Sequence, residues 1–95
     1  MNETKYEVKQ TTHFKKDYRL AKKRGKNIPL LRDIITMLAN DEPLPEKNRD
    51  HALADDWLGF RECHVTPDWL LVYSKDNDIL VLTLMRTGSH SDLAF

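Results

Sequence analysis

The chain has 95 residues, and its 15 Lys and Arg balance 15 Asp and Glu, so the formal net charge is zero. This length suits one compact unit, residues 1–95, and leaves no room for a second hydrophobic core. A hydrophobic fraction of 40% with three Gly and four Pro excludes collagen-like, low-complexity and wholly disordered chains. Taken as a whole, a neutral chain also lacks the positive charge typical of nucleic-acid-binding proteins.

The cysteine content and the apolar runs indicate the compartment. Cys63 is the single cysteine, which excludes an internal disulfide and fits a reducing environment. The first ten residues have no apolar core of signal-peptide length, and the longest apolar stretch, residues 79–85, is far too short to span a bilayer. We therefore expect a cytoplasmic protein with no membrane role.

The first half of the chain predicts one strand followed by a helical hairpin. The alternation over residues 6–10 is typical of a strand with one face in water. Thr11 or Thr12 then caps a helix that Gly25 ends, because Gly tolerates the left-handed backbone found just past a helix. A second apolar pattern with helical spacing predicts a helix that starts near Asn27 and stops at Asn40.

The second half predicts a sheet. A polar connector from Asp41 to Asp56 leads to three segments rich in aromatic and β-branched residues, at 59–65, 69–74 and 79–86. Their short connections imply an antiparallel meander, and residues 87–95 form a short tail without clear periodicity. The predicted fold class is therefore α+β.

Charge is unevenly distributed along the chain. Residues 1–49 contain twelve Lys and Arg against seven Asp and Glu, a net of +5, whereas residues 50–95 contain three against eight, a net of −5. The positive charge is densest on the first predicted helix and the turn after it: Lys15, Lys16, Arg19, Lys22, Lys23, Arg24 and Lys26, with Asp17 as the only acid among them. Such a segment is either a solvated helix face or an RNA-contacting surface.

Three of the four histidines, His51, His64 and His90, lie in the acidic half together with Glu62, Asp68 and Arg86. An imidazole ordinarily has a pKa of about 6.5, so converging histidines donate and accept protons near neutral pH. In a meander the middle strand lies beside both others, which allows these residues to share one region of the sheet. A lone histidine is more often structural, and a three-histidine metal site stays open as an alternative. The sequence contains no HExxH, GxSxG or Gly-rich phosphate loop.

Three segments carry a resemblance to a known family: DHAL at residues 50–53, WLGFRECHVTPDWLLVY at 57–73 and RTGSHSDL at 86–93. Together they resemble the YafQ-type toxins of the RelE/ParE superfamily, and the match covers nearly the whole chain. The resemblance implies a RelE-like fold and a ribosome-dependent endoribonuclease that cleaves mRNA in the ribosomal A site without a cofactor. It also implies inhibition by a cognate DinJ-like antitoxin, contact with ribosomal RNA and mRNA, and contact with operator DNA only through the antitoxin.

The resemblance also suggests roles for the polar residues. His90 is the candidate general acid, while His51, His64 and Asp68 are candidates for the general base and for orienting the phosphate. Arg86 is expected to stabilise the negative charge of the transition state. Because the 2′-OH of the substrate serves as nucleophile, this chemistry needs no metal ion.

Two aromatic residues, Trp69 and Phe95, are expected beside the site by family likeness, where a ring can stack on an unpaired base. For Trp69 the alternative is a core position at the start of a strand. The tail departs from the family pattern, because Ala94 separates Leu93 from Phe95. This extra residue puts the contact by Phe95 in doubt.

The resemblance favours RNA contact for the basic segment, because Lys and Arg neutralise phosphates and release counterions. The expected RNA-binding residues are Lys15, Lys16, Arg19, Lys22, Lys23 and Lys26. Two other functions stay open. A related branch of the superfamily poisons DNA gyrase and does not need the histidine group, and a catalytically degenerate module would only pair with its antitoxin, to which Ala94 points.

Overall fold

A five-stranded sheet with a helical hairpin on one face makes up the computed structural model, which describes residues 4–93. The elements in chain order are β1 (Glu7–Gln10), α1 (Thr12–Lys23), α2 (Ile28–Ala39), β2 (His51–Ala52), β3 (Arg61–Thr66), β4 (Trp69–Asp76), β5 (Val81–Gly88) and α3 (His90–Leu93). Short 3-10 turns occupy Glu46–Asn48 and Asp55–Trp57. The predicted α+β class and the order strand, helical hairpin, sheet are confirmed.

Local sequence explains the hairpin. The Thr11 hydroxyl accepts a bond of 3.0 Å from the N–H of Phe14, and the Asn27 side chain caps α2 in the same way. Gly25 has a φ of 73°, a left-handed conformation in which a side chain is strained. The N–H of Lys26 then bonds the carbonyl of Ala21 at 3.0 Å, which closes the end of α1.

The sheet order is β1-β5-β4-β3-β2. Strands β3, β4 and β5 form the predicted antiparallel meander. Strand β1 pairs in parallel with β5, and β2 pairs antiparallel with β3. The sheet is therefore mixed, because the hairpin carries the chain away from β1 before β5 returns beside it.

One strand was not predicted, and several strand boundaries differ from the prediction: β3 begins at Arg61 rather than at residue 59, and β4 ends at Asp76 rather than at residue 74. Strand β2 lies inside the segment expected to be a connector, since two residues are too few to show an alternating pattern. Strand β5 begins at Val81 and ends at Gly88, two residues later than expected at each end. The Asp76 carboxylate accepts bonds from the N–H groups of Asp78 and Ile79, so the chain is still turning there.

Both faces of the sheet are covered. On β4, Trp69 and Leu71 pack against the helical hairpin, whereas Leu70 and Val72 belong to a smaller cluster on the opposite face with Leu93. Within residues 4–93, no helix is long and apolar enough to cross a membrane.

Candidate active site

Three histidines form a row on the sheet face opposite the helical hairpin. His51 on β2 and His64 on β3 have ring centroids 6.5 Å apart, and His90 at the start of α3 places its ring 5.8 Å from that of His64. His64 lies opposite Leu70 in the register of β3 and β4, which sets the face. We call His51, His64 and His90 the histidine row, and its convergence agrees with the expectation from the sequence.

Backbone carbonyls fix two of these rings. The Nδ1 of His51 is 2.6 Å from the carbonyl oxygen of Arg49, and the Nδ1 of His64 is 3.3 Å from that of Pro67. A carbonyl oxygen only accepts hydrogen bonds, so Nδ1 carries the proton in each ring. In His64, Nε2 is then the nitrogen left to exchange a proton with a substrate.

His90 is fixed by a carboxylate instead. Asp68 Oδ1 accepts from His90 Nδ1 at 2.9 Å and from the backbone N–H of His90 at 3.4 Å. The side-chain bond, followed by the backbone bond, lowers the pKa of the Asp68 carboxyl, and the charge of Lys26 adds a smaller effect in the same direction. The contact with Asp68 occupies Nδ1 of His90 and leaves Nε2 of that ring for the substrate.

A second carboxylate lies beside His51. Glu62 is opposite His51 in the register, its side chain is only 9% exposed, and its Oε1 is 3.5 Å from His51 Nε2. Its Oε2 is buried without a hydrogen-bond partner among residues 4–93. Glu62 therefore places a nearly buried carboxylate beside the Nε2 atom of His51.

Asp50 anchors the short strand that carries His51. Its Oδ1 accepts bonds from the Tyr73 hydroxyl at 2.5 Å and from the Nε of Arg61 at 3.3 Å. Burial, followed by the bond to Asp50, raises the pKa of Tyr73, which stays a donor to the carboxylate. In the DHAL segment, Asp50 therefore has a structural role: it anchors the strand that carries His51.

The segment after β5 holds His90 in place. The N–H of Ser89 bonds Asp92 Oδ2 at 3.0 Å and the N–H of Asp92 bonds the Ser89 hydroxyl at 3.1 Å, a reciprocal cap for α3. A Cβ on Gly88 would stand 2.9 Å from the Cβ of Asp92, so only Gly allows this close approach. The RTGSHSDL segment thus sets the direction in which His90 leaves the sheet.

Trp69 has a structural role. Its side chain belongs to the core, the residue is 2% exposed, and its Nε1 donates a bond of 2.9 Å to the buried Thr87 hydroxyl, which donates to the carbonyl of Leu70. Stacking on a base requires an exposed ring face, so the expected substrate contact by Trp69 is corrected to the core alternative. Phe95 and Ala94 lie outside the described residues.

Arg86 is held by an acid on the basic helix. Its Nε donates to Asp17 Oδ2 at 2.6 Å and its Nη2 to Asp17 Oδ1 at 3.3 Å, and these bonds raise the pKa of the guanidinium. Among residues 4–93, the side-chain hydrogen bonds of Arg86 therefore run to α1 rather than to the histidine row.

A cleft of about 220 Å³ lies between the end of α1 and the segment from Arg86 to Asp92. Arg24 and Lys26 line it from the helical side, and Arg24 bonds Asp92 at 2.9 Å. This cleft joins the basic end of α1 to the segment that carries His90.

The remaining candidates form an exposed surface. The six side chains expected to bind RNA are all exposed, and no ion pair joins them to an acid among residues 4–93; they are Lys15, Lys16, Arg19, Lys22, Lys23 and Lys26. We call these six residues the basic surface.

Sequence reasoning assigned no role to two acids that help to build this site, Asp17 and Asp92, and it placed Glu62 near the histidines without predicting its contact. Asp17 bonds Arg86, Asp92 bonds Ser89 next to His90, and Glu62 lies beside His51. For Asp17 a signal existed, since it lies three residues after the buried Phe14 on the inward stripe of α1. Within residues 4–93, no group of three or more His, Cys, Asp or Glu is arranged to hold a metal ion.

Comparisons with known proteins agree on one family. The model of the family described as "Bacterial toxin of type II toxin-antitoxin system, YafQ" matches residues 6–95. The mRNA interferase toxin YafQ of Escherichia coli BL21-DE3 is 39% identical over 88 residues, covering 92% of this chain and 94% of the relative.

Solved structures show the same likeness. A chain of the E. coli DinJ-YafQ toxin-antitoxin complex superposes with a TM-score of 0.85 at 37% identity, covering 94% of this chain and 97% of that one. A metal-bound toxin from Helicobacter pylori gives a TM-score of 0.88 at 39% identity, covering 93% and 98%.

Proposed function

We propose that this chain, which belongs to the YafQ family of bacterial toxins of type II toxin-antitoxin systems, is an endoribonuclease that cleaves mRNA in the ribosomal A site. The observation that carries the proposal is the histidine row, in which each ring uses Nδ1 for an acceptor, and His64 and His90 keep Nε2 for proton transfer. Relatives named mRNA interferase toxins support the same substrate class.

The reaction needs a base, an acid and a cation. The 2′-oxygen attacks the adjacent phosphorus, its proton passes to the base, and the bond between phosphorus and the 5′-oxygen breaks as the acid protonates that oxygen. The products are a 2′,3′-cyclic phosphate and a free 5′-OH.

His90 is the acid in this scheme. Because the Asp68 carboxylate occupies its Nδ1, the proton on Nε2 is the one that passes to the departing 5′-oxygen. Asp68 itself orients the ring through the 2.9 Å bond to Nδ1.

His64 is the base. A base must be unprotonated before the reaction, and the Nδ1 of His64 bonds a neutral carbonyl rather than a carboxylate. His51, with Glu62 beside its Nε2 atom, orients the phosphate. Arg86 stabilises the phosphorane charge with the N–H groups that Asp17 leaves free.

The ribosome holds the mRNA in position for cleavage. The protein can therefore bind the ribosome through its basic surface and cleave mRNA at the separate histidine row. The six exposed cations bind phosphates of ribosomal RNA. A protein that acts on ribosomes works in the cytoplasm. Its partner there is a DinJ-like antitoxin, which the DinJ-YafQ toxin-antitoxin complex of E. coli supports.

The test adds the purified protein to translating ribosomes with a defined mRNA and maps new ends by primer extension. The wild type and His13→Ala, which removes the fourth, exposed histidine on α1, are expected to cut in the A site, whereas His90→Ala loses the cuts. The same cuts on naked RNA would overturn the ribosome requirement.

Complete absence of cuts by the wild type would overturn the nuclease and favour the antitoxin-binding module. Gyrase-dependent DNA breaks in a parallel assay would instead identify a gyrase poison.

A further inference from the structure

Asp17 is the one acid within the densest run of cations in the chain, and it faces inward. Its side chain is 14% exposed and lies on the stripe of α1 that also buries Phe14 and Ala21. Moving a carboxylate away from water is unfavourable unless the group is paired and hydrogen-bonded. The partners of the Asp17 carboxylate therefore explain why an acid stands at this inward-facing position.

Three donors from the end of β5 meet this carboxylate. Oδ2 accepts from the Nε of Arg86 at 2.6 Å and from the backbone N–H of Thr87 at 3.1 Å, while Oδ1 accepts from the Nη2 of Arg86 at 3.3 Å. This is a two-oxygen, fork-to-fork contact, which fixes the plane of the guanidinium as well as its position.

The strand alone does not set the direction of Arg86. The pairing of β4 with β5 shifts between Val72 and Tyr73, which face Arg86 and Leu84, so Met85 is left over as a bulge next to Arg86. Bulges redirect the neighbouring side chains of a strand. The side chain of Arg86 thus leaves an irregular strand, and its contact with Asp17 defines its direction.

The contact also selects which donors remain. A guanidinium has five N–H groups, and Asp17 uses those on Nε and one on Nη2. Both N–H groups of Nη1 and the second of Nη2 are left on the opposite edge, in a plane fixed by the carboxylate. Arg86 and Thr87 line the cleft that leads to the segment of His90.

We infer that Asp17 is a positioning residue for cleavage, which aims the free edge of Arg86 at the phosphate of the scissile mRNA bond. The inference rests on the proposed function, since it assigns Arg86 a phosphate to stabilise. Asp17 touches neither the substrate nor the proton-transfer groups and acts through Arg86.

The expected signature of Asp17→Asn is a split between kcat and KM. The amide keeps one acceptor oxygen but cannot pair with both nitrogens of the fork, so the guanidinium loses its fixed direction and kcat falls by about 10- to 100-fold. KM for ribosome-bound mRNA stays the same or decreases, because the charge of Arg86 is no longer partly neutralised. A merely structural role would lower the thermal midpoint and leave this split absent.

A double-mutant cycle tests the route through Arg86. In an Arg86→Ala background, Asp17→Asn is expected to change the single-turnover cleavage rate by less than about twofold. An undiminished loss in that background, or wild-type kcat in Asp17→Asn, would overturn the inference. Asp41→Asn is the matched control, since Asp41 bonds Lys5 and Lys75 away from the cleft, and wild-type cleavage is expected from it.

A measurement that does not depend on cleavage activity distinguishes this inference from the proposed function. In NMR spectra of the free protein, the Nε–H of Arg86 is expected to exchange slowly in the wild type and Asp41→Asn and rapidly in Asp17→Asn. Absent A-site cuts by the wild type overturn both the proposed function and the aim at mRNA. If the wild type makes no cuts but its Arg86 Nε–H exchanges slowly, Asp17 does position Arg86 and only the mRNA phosphate as its target is wrong. Rapid exchange in the wild type would overturn the positioning of Arg86 by Asp17.

Discussion

The histidine row and the basic surface differ in how firmly their side chains are held. Each ring of the row is tied through Nδ1 to an acceptor on the sheet or its turns, whereas no ion pair among residues 4–93 holds the six cations of the basic surface. Proton transfer requires fixed distances and directions, so the row needs rigid rings. Attraction to phosphates acts over several ångströms and tolerates mobile lysines, so exposure is enough for the surface.

The two regions meet at the cleft beside β5. Asp17 and Arg24 reach from α1 to Arg86 and Asp92, and Lys26 lies near enough to lower the pKa of Asp68. The surface proposed to bind RNA and the row proposed to cleave it are thus separate regions joined by two ion pairs.

His64→Ala is expected to produce the largest effect. Removal of the base lowers kcat for A-site cleavage by about 10²- to 10⁴-fold, while affinity for the ribosome stays within about twofold of wild type. His51→Ala is expected to lower kcat less, because His51 orients rather than accepts the proton. Single-turnover cleavage and ribosome co-sedimentation measure the two quantities, and a greater loss for His51→Ala would reverse the assigned roles.

Gly88→Ala tests the support of the row without touching a histidine. Its new Cβ meets the Cβ of Asp92 at 2.9 Å, so we expect a loss of about 1–3 kcal/mol in unfolding free energy and a lower kcat as His90 shifts. Urea denaturation and single-turnover cleavage report the two effects. In an Asp92→Gly background the contacting atom is gone, and the penalty should shrink; an unchanged penalty would contradict the steric explanation.

Charge reversal on the basic surface should act on binding alone. The double variant Lys22→Glu/Lys23→Glu is expected to weaken ribosome association by about tenfold at physiological salt, to flatten its salt dependence and to leave kcat unchanged. Lys9→Glu reverses an exposed lysine on β1 and serves as the control. Equal weakening by the control would mean that α1 carries no special contact.

The smallest expected effect concerns Asp68. Because the His90 side chain is the main cause of its lowered pKa, His90→Ala should raise that pKa towards the ordinary carboxyl value, as measured by NMR titration. A pKa lower in the folded than in the unfolded state stabilises the fold above the unfolded value of about 3.9. This contribution disappears as the pH falls through the folded value, so wild type and His90→Ala should converge in stability in strong acid. A titration curve of Asp68 that is identical in both proteins would contradict the pairing.

Local elements and much of the site could be predicted. The caps at Thr11 and Asn27 and the turn at Gly25 depend on neighbouring residues alone, so the hairpin follows from short-range rules. The order of the meander, together with the family resemblance, also predicted that His64 and His90 meet. Strand β2 and the parallel pairing of β1 were not predicted, because they depend on segments far apart in the chain.

The sequence by itself determined the hairpin, the meander, the separation of charge and the identity of the histidine row, since each is written in spacing, composition or a motif. Only the tertiary structure decided that Trp69 is core, that Glu62 faces His51 and that Asp17 holds Arg86. The last contact joins residues 69 positions apart. Such a pairing depends on where the hairpin packs against the sheet, which no local sequence pattern specifies. The sequence did indicate that Asp17 needs a partner, because it is an acid on the buried stripe of a basic helix.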